Sequence, residues 1–248
     1  MRKKLSFNLL FVTVLLVSCN TSFHSNSLHY HNYRVAESEN QNSFLQKELL
    51  IYSDSVNSSM SSIVGFAYLM LEKKQPESTL GNFIADAMLV MANEKYSMKV
   101  DAAIANYGGI RINQLSAGAV SKGKIFELMP FDNLVVIQKI RGDVLQQFLD
   151  LSAAKGGWPL AGITMKIKNQ KAIDVTVNNE PIDFSTIYTV VNSDYVANGG
   201  DQANMLRNIP QQSIGYLLRD AIFDYIKVLQ KQGKNIIAFE EKRVTYVE

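Results

Sequence analysis

Three short segments carry side chains suited to gripping a small polar ligand. Asn106-Tyr107-Gly108-Gly109-Ile110-Arg111 combines an amide, two adjacent glycines and a guanidinium. Leu128-Met129-Pro130-Phe131-Asp132-Asn133 sets an aromatic beside a turn-forming proline, and Asn192-Ser193-Asp194-Tyr195 runs on to Val196-Ala197-Asn198-Gly199-Gly200-Asp201. Aromatic faces such as those of Phe131 and Tyr195 stack a planar heterocycle for about 1–3 kcal/mol each, with little selectivity. A carboxylate such as Asp201 accepts hydrogen bonds from a vicinal diol, and a guanidinium such as Arg111 chelates a phosphate through two parallel bonds. Gly108-Gly109 lets the backbone approach a ligand with no Cβ in the way. By residue type alone each also has a structural reading: Phe131 and Tyr195 as core or turn-packing aromatics, Asp201 as a turn residue capping a helix, Arg111 as a solvated charge.

Other chemistries lack their residues. The only cysteine is Cys19, and the three histidines, His24, His29 and His31, all precede the first apolar pattern of a folded region. Zinc enzymes, Ser-His-Asp hydrolases and Cys-His nucleophile systems therefore have no support there. His29 and His31 are close enough for a metal cluster, but nothing around them fixes a geometry, and a solvated linker is the better reading. With 47% hydrophobic and 19% charged residues in 248, the chain is too apolar for intrinsic disorder, and one cysteine cannot build a disulfide framework. A net charge of +2 gives no electrostatic case for nucleic acid. Gly118-Ala119-Val120-Ser121-Lys122-Gly123-Lys124 matches the first seven positions of a phosphate-binding P-loop. The eighth is Ile125, not the Ser or Thr that holds Mg²⁺, so Ser121 is read as the cap of a short helix with Phe126 and Met129 facing inward.

The N-terminus reads as an address rather than a fold. Arg2, Lys3 and Lys4 precede an apolar stretch from Leu5 to Val17, too short to span a bilayer and suited to a signal peptide over residues 1–18. Leu16-Val17-Ser18-Cys19 resembles a bacterial lipobox, which implies lipidation of Cys19. Asn20 is not the aspartate of inner-membrane retention, so the resemblance to lipoprotein sorting rules implies an outer-membrane anchor. Residues 19–43 form a polar tether that would hold the rest about 25 Å from the membrane. Without Met1 to Ser18 the net charge moves from +2 to −1: the excess of basic residues belongs to the export signal.

From 44 to 248 the hydrophobic periodicity predicts one mixed α and β domain that must position the three segments. A helix runs from Phe44 toward Met60, a strand from Ile63 to Leu71, and a helix capped by Ser78 carries Phe83, Ile84, Ala87, Met88 and Met91. Val100 to Ala105 is a short strand ending at Asn106. Leu134 to Ile140 is another, leading into an amphipathic helix with Val144, Leu145, Phe148 and Leu149. Strands follow at Ile163 to Lys168, Ala172 to Val177 and Ile187 to Val191, then a helix from Ile214 to Leu229 and a closing strand at Arg243 to Val247. Asp86, on a helix face among apolar residues, is read as structural.

In this order and spacing the three segments, with Glu77-Ser78-Thr79-Leu80-Gly81-Asn82 ahead of them, resemble the C-terminal domain of the 5′-nucleotidase/UDP-sugar hydrolase family. The likeness covers residues 45 to 247. It implies an α+β fold of four layers, α/β/β/α, with mixed sheets, which supplies the nucleotide-recognition half of an active site. It also implies that Asn106, Gly109 and Arg111 bind base, ribose or phosphate, that Phe131 and Tyr195 sandwich the base, and that Asp201 holds the ribose hydroxyls.

Three departures qualify the likeness. Tyr107 stands where the family usually has glycine, and Tyr195 replaces a phenylalanine. Lys73-Lys74-Gln75-Pro76 lacks the phosphate-contacting arginines, leaving Lys74 as a point charge without a fork. The family's catalytic dinuclear metal centre belongs to a separate metallophosphatase domain with His ligands, so no catalytic residue, metal or cofactor is assigned to this chain and the divalent metals are expected on a partner. Two functions follow as expectations: the recognition half of a split nucleotidase completed by a separate metallophosphatase polypeptide, or a non-catalytic, membrane-anchored lipoprotein that binds nucleosides or nucleotides.

Overall fold

The computed structural model describes Ser27, Tyr30, His31 and residues 43–247; residues 1–18, read above as a signal peptide, and Cys19, His24 and His29 lie outside the described residues. The chain divides into two units after Lys47, and the fold below is that of the second. In chain order the elements are α1 (Ser43–Ser61), β1 (Ile63–Ala67), β2 (Leu71–Glu72), α2 (Thr79–Tyr96), β3 (Ala102–Ile104), β4 (Gln114–Leu115), β5 (Gly118–Ser121), α3 (Lys122–Leu128), β6 (Leu134–Arg141) and α4 (Gly142–Ala154). They continue with β7 (Leu160–Ala161), β8 (Ile163–Lys168), β9 (Lys171–Val177), β10 (Glu180–Pro181), β11 (Ile187–Ser193), α5 (Asp194–Ala197), β12 (Gln211–Leu217), α6 (Leu218–Lys231) and β13 (Val244–Tyr246). Among the described residues no helix is long and apolar enough to cross a membrane.

Two mixed sheets organise the α+β fold. The five-stranded one has the order β12-β6-β11-β3-β7, with only β11 and β3 parallel, and the four-stranded one has the order β10-β9-β8-β13, with β8 and β13 parallel. Period-two alternation splits the larger sheet between two cores. Ala103, Val135, Ile137 and Val191 pack against α2, α3 and α6 on one face. Ala102, Ile104, Ile140 and Val190 pack on the other face, with α4 and the inner residues Ile163, Met165 and Ile167 of β8. In that second core Phe148 meets Trp158 edge to face at 5.8 Å, a contact adding about 1 kcal/mol beyond burial.

Capping fixes α2 as expected: Ser78 Oγ accepts from the Gly81 N–H at 3.0 Å, and Ser97 ends the helix at φ 50. Behind the cap, buried Glu77 accepts from the amides of Glu241 and Arg243 and from Asn82, whose side chain also donates to the Phe239 carbonyl. The Glu77 to Asn82 segment is thus a clasp for the C-terminal strand. Asp86 has a structural partner too: Arg243 grips it with two bonds of 2.7 and 3.0 Å. Burial outweighs that pairing and holds the Asp86 carboxyl above the usual carboxylate range.

Two elements differ from the sequence expectation, and a third matches it. The strand from Ile63 to Leu71 is two strands: Ala67 and Leu71 are buried, but Tyr68-Leu69-Met70 turn outward as the chain leaves β5, the partner of β1, for β4, the partner of β2. The helix placed from Ile214 begins only at Leu218. Gly215 lies at φ +74, outside helical space, and β12 pairs with β6 up to that point. The P-loop-like stretch contains strand β5, running straight into α3. Ser121 caps that helix by accepting from Lys124 N, and it buries Ile125 and Leu128, with Met129 inward and Phe126 half-buried.

Candidate functional site

Three chain ends of the larger sheet converge on one cavity. β3 delivers Asn106 and a tight 3₁₀ turn over Tyr107–Gly109; the loop between α3 and β6 delivers Phe131; β11 runs into the single turn α5, which carries Tyr195 ahead of Asp201. The cavity, about 370 Å³, is lined by Asn106, Gly109, Arg111, Phe131, Tyr195 and Asp201, every substrate-binding residue singled out from the sequence. Gly108 and Asn133 line it as well. Both were legible as members of the quoted motifs, Asn133 as the last residue of Pro-Phe-x-Asn.

Hydrogen bonds lock the loops to one another. The Asn106 amide donates to Asp201 Oδ2 at 2.7 Å. Gly109 leaves room for that amide: a Cβ would come 2.9 Å from Asn106 Oδ1 and press it away from Asp201. Asp194 Oδ1 accepts from the backbone N–H groups of Leu134 and Tyr195, both at 2.9 Å, tying the start of β6 to α5 and so the Phe131 loop to the Tyr195 turn. Both aromatics remain partly open, Phe131 at 42% and Tyr195 at 45% exposure, as stacking platforms must be. The Arg111 guanidinium lies 5.5 Å over the Phe131 ring.

Supporting residues came from the tertiary structure alone. Arg219, 7% exposed at the start of α6, donates to the carbonyls of Met129 and Phe131 and to Asp132 Oδ1 at 2.6 Å, fixing the Phe131 loop from behind. Its guanidinium also stacks 4.2 Å over Phe126. Buried Gln138 on β6 donates to the carbonyls of Leu206 and Ile209, holding the chain that follows Asp201. Nothing in the local pattern marks either residue, since their partners are 68 to 90 positions away.

The cations near the cavity are rearranged relative to expectation. Lys74, the anticipated point charge, pairs with Glu240 at 2.5 Å and does not line the cavity. Lys73 does not line it either but packs against the turn that carries Arg111. Its ammonium sits 4.1 Å over the Tyr107 ring and donates to the Ile110 carbonyl at 2.7 Å. Burial, and then the Arg111 charge, lower the Lys73 pKa below that of an ordinary lysine. Tyr107, which stands where the family usually has glycine, packs its ring against the second core and under the Lys73 ammonium.

A dinuclear metal centre does not fit here: among the described residues no three His, Cys, Asp or Glu side chains converge to hold an ion. Side chains of these types, so arranged, can stack a flat ring on Phe131 and Tyr195, accept a diol on Asp201 and present the positive charge of Arg111.

Comparison with known proteins gives the same picture. The model of the 5′-nucleotidase C-terminal domain family matches residues 61–208. The trifunctional nucleotide phosphoesterase protein YfkN of Bacillus subtilis is 25% identical over 235 residues, covering 86% of this chain and 16% of that protein. The cell wall protein Lmo0130 of Listeria monocytogenes is 29% identical over 194 residues, covering 68% of this chain and 24% of that one. Among solved structures, the 5′-nucleotidase precursor from Thermus thermophilus superposes with a TM-score of 0.71 at 25% identity, over 83% of this chain and 43% of that one. The chain thus spans less than half the length of each of these three proteins.

Proposed function

Because the chain belongs to the family of 5′-nucleotidase C-terminal domains, we propose that its cavity is the nucleotide-recognition half of a 5′-nucleotidase-type phosphoester hydrolase whose metal centre sits on a separate metallophosphatase polypeptide. The observation that carries this reading is the convergence of Phe131, Tyr195, Asp201 and Arg111 on one 370 Å³ cavity from segments far apart in sequence. Phe131 and Tyr195 sandwich the base, Asp201 accepts the ribose hydroxyls, and Arg111 receives the phosphate. There the partner's divalent metals, when bound, activate water and neutralise the phosphoryl oxygens. This chain's own contribution is binding and orientation, which lowers the barrier by holding substrate in a reactive pose. The polypeptide is exported and anchored in the outer membrane through a lipid on Cys19; its likeness to a cell wall protein supports the coarser part of this, a place outside the cytoplasm.

The test mixes the purified chain with a candidate metallophosphatase encoded beside it and measures phosphate release from AMP with Mn²⁺ or Mg²⁺. Complex formation and a rate above that of the phosphatase alone are the expected result. Tight AMP binding with no complex and no rate gain would overturn the split enzyme in favour of a membrane-anchored nucleotide-binding lipoprotein.

A further inference from the structure

We propose that the Tyr195 hydroxyl is a positioning group that fixes the Asp201 carboxylate for a vicinal diol, and so sets the preference of the cavity for ribose over sugars lacking the diol. This inference rests on the reading of the cavity as a nucleoside site.

The loop between the two residues is built around that hydroxyl. It donates to Asp201 Oδ1 at 3.2 Å and accepts from the Asp201 backbone N–H at 3.2 Å, closing Tyr195 onto Asp201 six positions later. Gly200 makes the closure sterically possible, since a Cβ there would fall 2.5 Å from the Tyr195 ring. Asp201 and Gln202 both lie in the left-handed region, at φ 51 and 73, a conformation that non-glycine residues hold only when their surroundings impose it. The hydroxyl is one of those constraints.

Lone-pair accounting then gives the consequence. Each carboxylate oxygen has two acceptor sites. Asn106 occupies one on Oδ2 and Tyr195 one on Oδ1, which leaves one free acceptor on each oxygen. Two adjacent acceptors held rigidly match the two hydroxyls of a cis diol. A phenylalanine at 195 keeps the stacking face but frees Oδ1 and the Asp201 amide, so the carboxylate keeps only its Asn106 restraint and can rotate about it while the base clamp survives.

The experiment compares the chain with its Tyr195→Phe variant in two measurements. Calorimetry with adenosine and with 2′,3′-dideoxyadenosine should show adenosine affinity falling about 5–10-fold in the variant while dideoxyadenosine changes less than about twofold. Hydrogen exchange without ligand should show faster exchange at the Asp201 amide in the variant. Equal losses for both nucleosides, no loss for adenosine, or unchanged protection of the Asp201 amide would overturn the proposal. Failure of the unmodified chain to bind either nucleoside would instead remove the reading of the cavity, and the amide measurement would still decide whether the hydroxyl orders Asp201.

Discussion

Asn106 and Asp201 are joined by a 2.7 Å hydrogen bond across 95 positions of sequence. The bond couples the Asn-x-Gly-Gly turn to the Ala-Asn-Gly-Gly-Asp loop and so ties the Arg111-bearing wall of the cavity to the Asp201-bearing one. Replacing Asn106 with Leu removes a donor to a charged acceptor and frees Oδ2. Adenosine affinity should fall by about 1.5–3 kcal/mol as measured by calorimetry, with a much smaller change in melting temperature.

Phe131, like Tyr195, is nearly half exposed and contributes little to the core. Phe131→Ala should cost about 1–3 kcal/mol of nucleoside affinity and leave the denaturant midpoint near that of the parent, whereas Phe131→Trp should retain binding. An unchanged affinity in Phe131→Ala would remove the stacking role.

Arg219 never reaches the cavity, yet Arg219→Met should weaken both the fold and the site. It strands the Met129 and Phe131 carbonyls and releases Asp132. Unfolding free energy should drop by about 2–4 kcal/mol, read from urea titration. Arg219→Lys should recover only part of this, because an ammonium has no planar fork for three acceptors.

Lys73 gives the site a pH dependence of known sign. Its folded pKa is lowered by burial and by Arg111, so the ammonium is present at neutral pH and is lost, as pH rises, before an ordinary lysine would lose its proton. Any advantage of AMP over adenosine should therefore decline at alkaline pH below the usual lysine range, and Lys73→Met should abolish that decline. Stability runs the other way: between the lowered folded pKa and the ordinary one the unfolded chain binds more protons, so folding gains as pH rises through that window. Paired titrations of binding and melting temperature separate the two trends.

Most regular elements were legible because their cause is local. The Ser78 cap, the alternation in Ile163 to Lys168 and the helical stripe through Leu218, Ile222 and Ile226 depend on neighbours within a few positions. The two misplacements arose where local pattern was ambiguous. Ile214 and Leu217 fit a helical spacing, but the pairing of β12 with β6 and the left-handed Gly215 override it, and the apolar run from Ile63 to Leu71 conceals a change of strand partner at Tyr68.

By itself the sequence determined the fold class, the family and the six residues that face the cavity, because motif order and spacing carry those directly. Only the tertiary structure decided which lysine packs against the Asn-x-Gly-Gly turn, that Tyr107 packs against the second core, and that Arg219 and Gln138 brace the binding loops. Those facts depend on partners 37 to 90 positions away, and a side chain's direction across such distances is set by packing and hydrogen-bond satisfaction rather than by its neighbours in the chain.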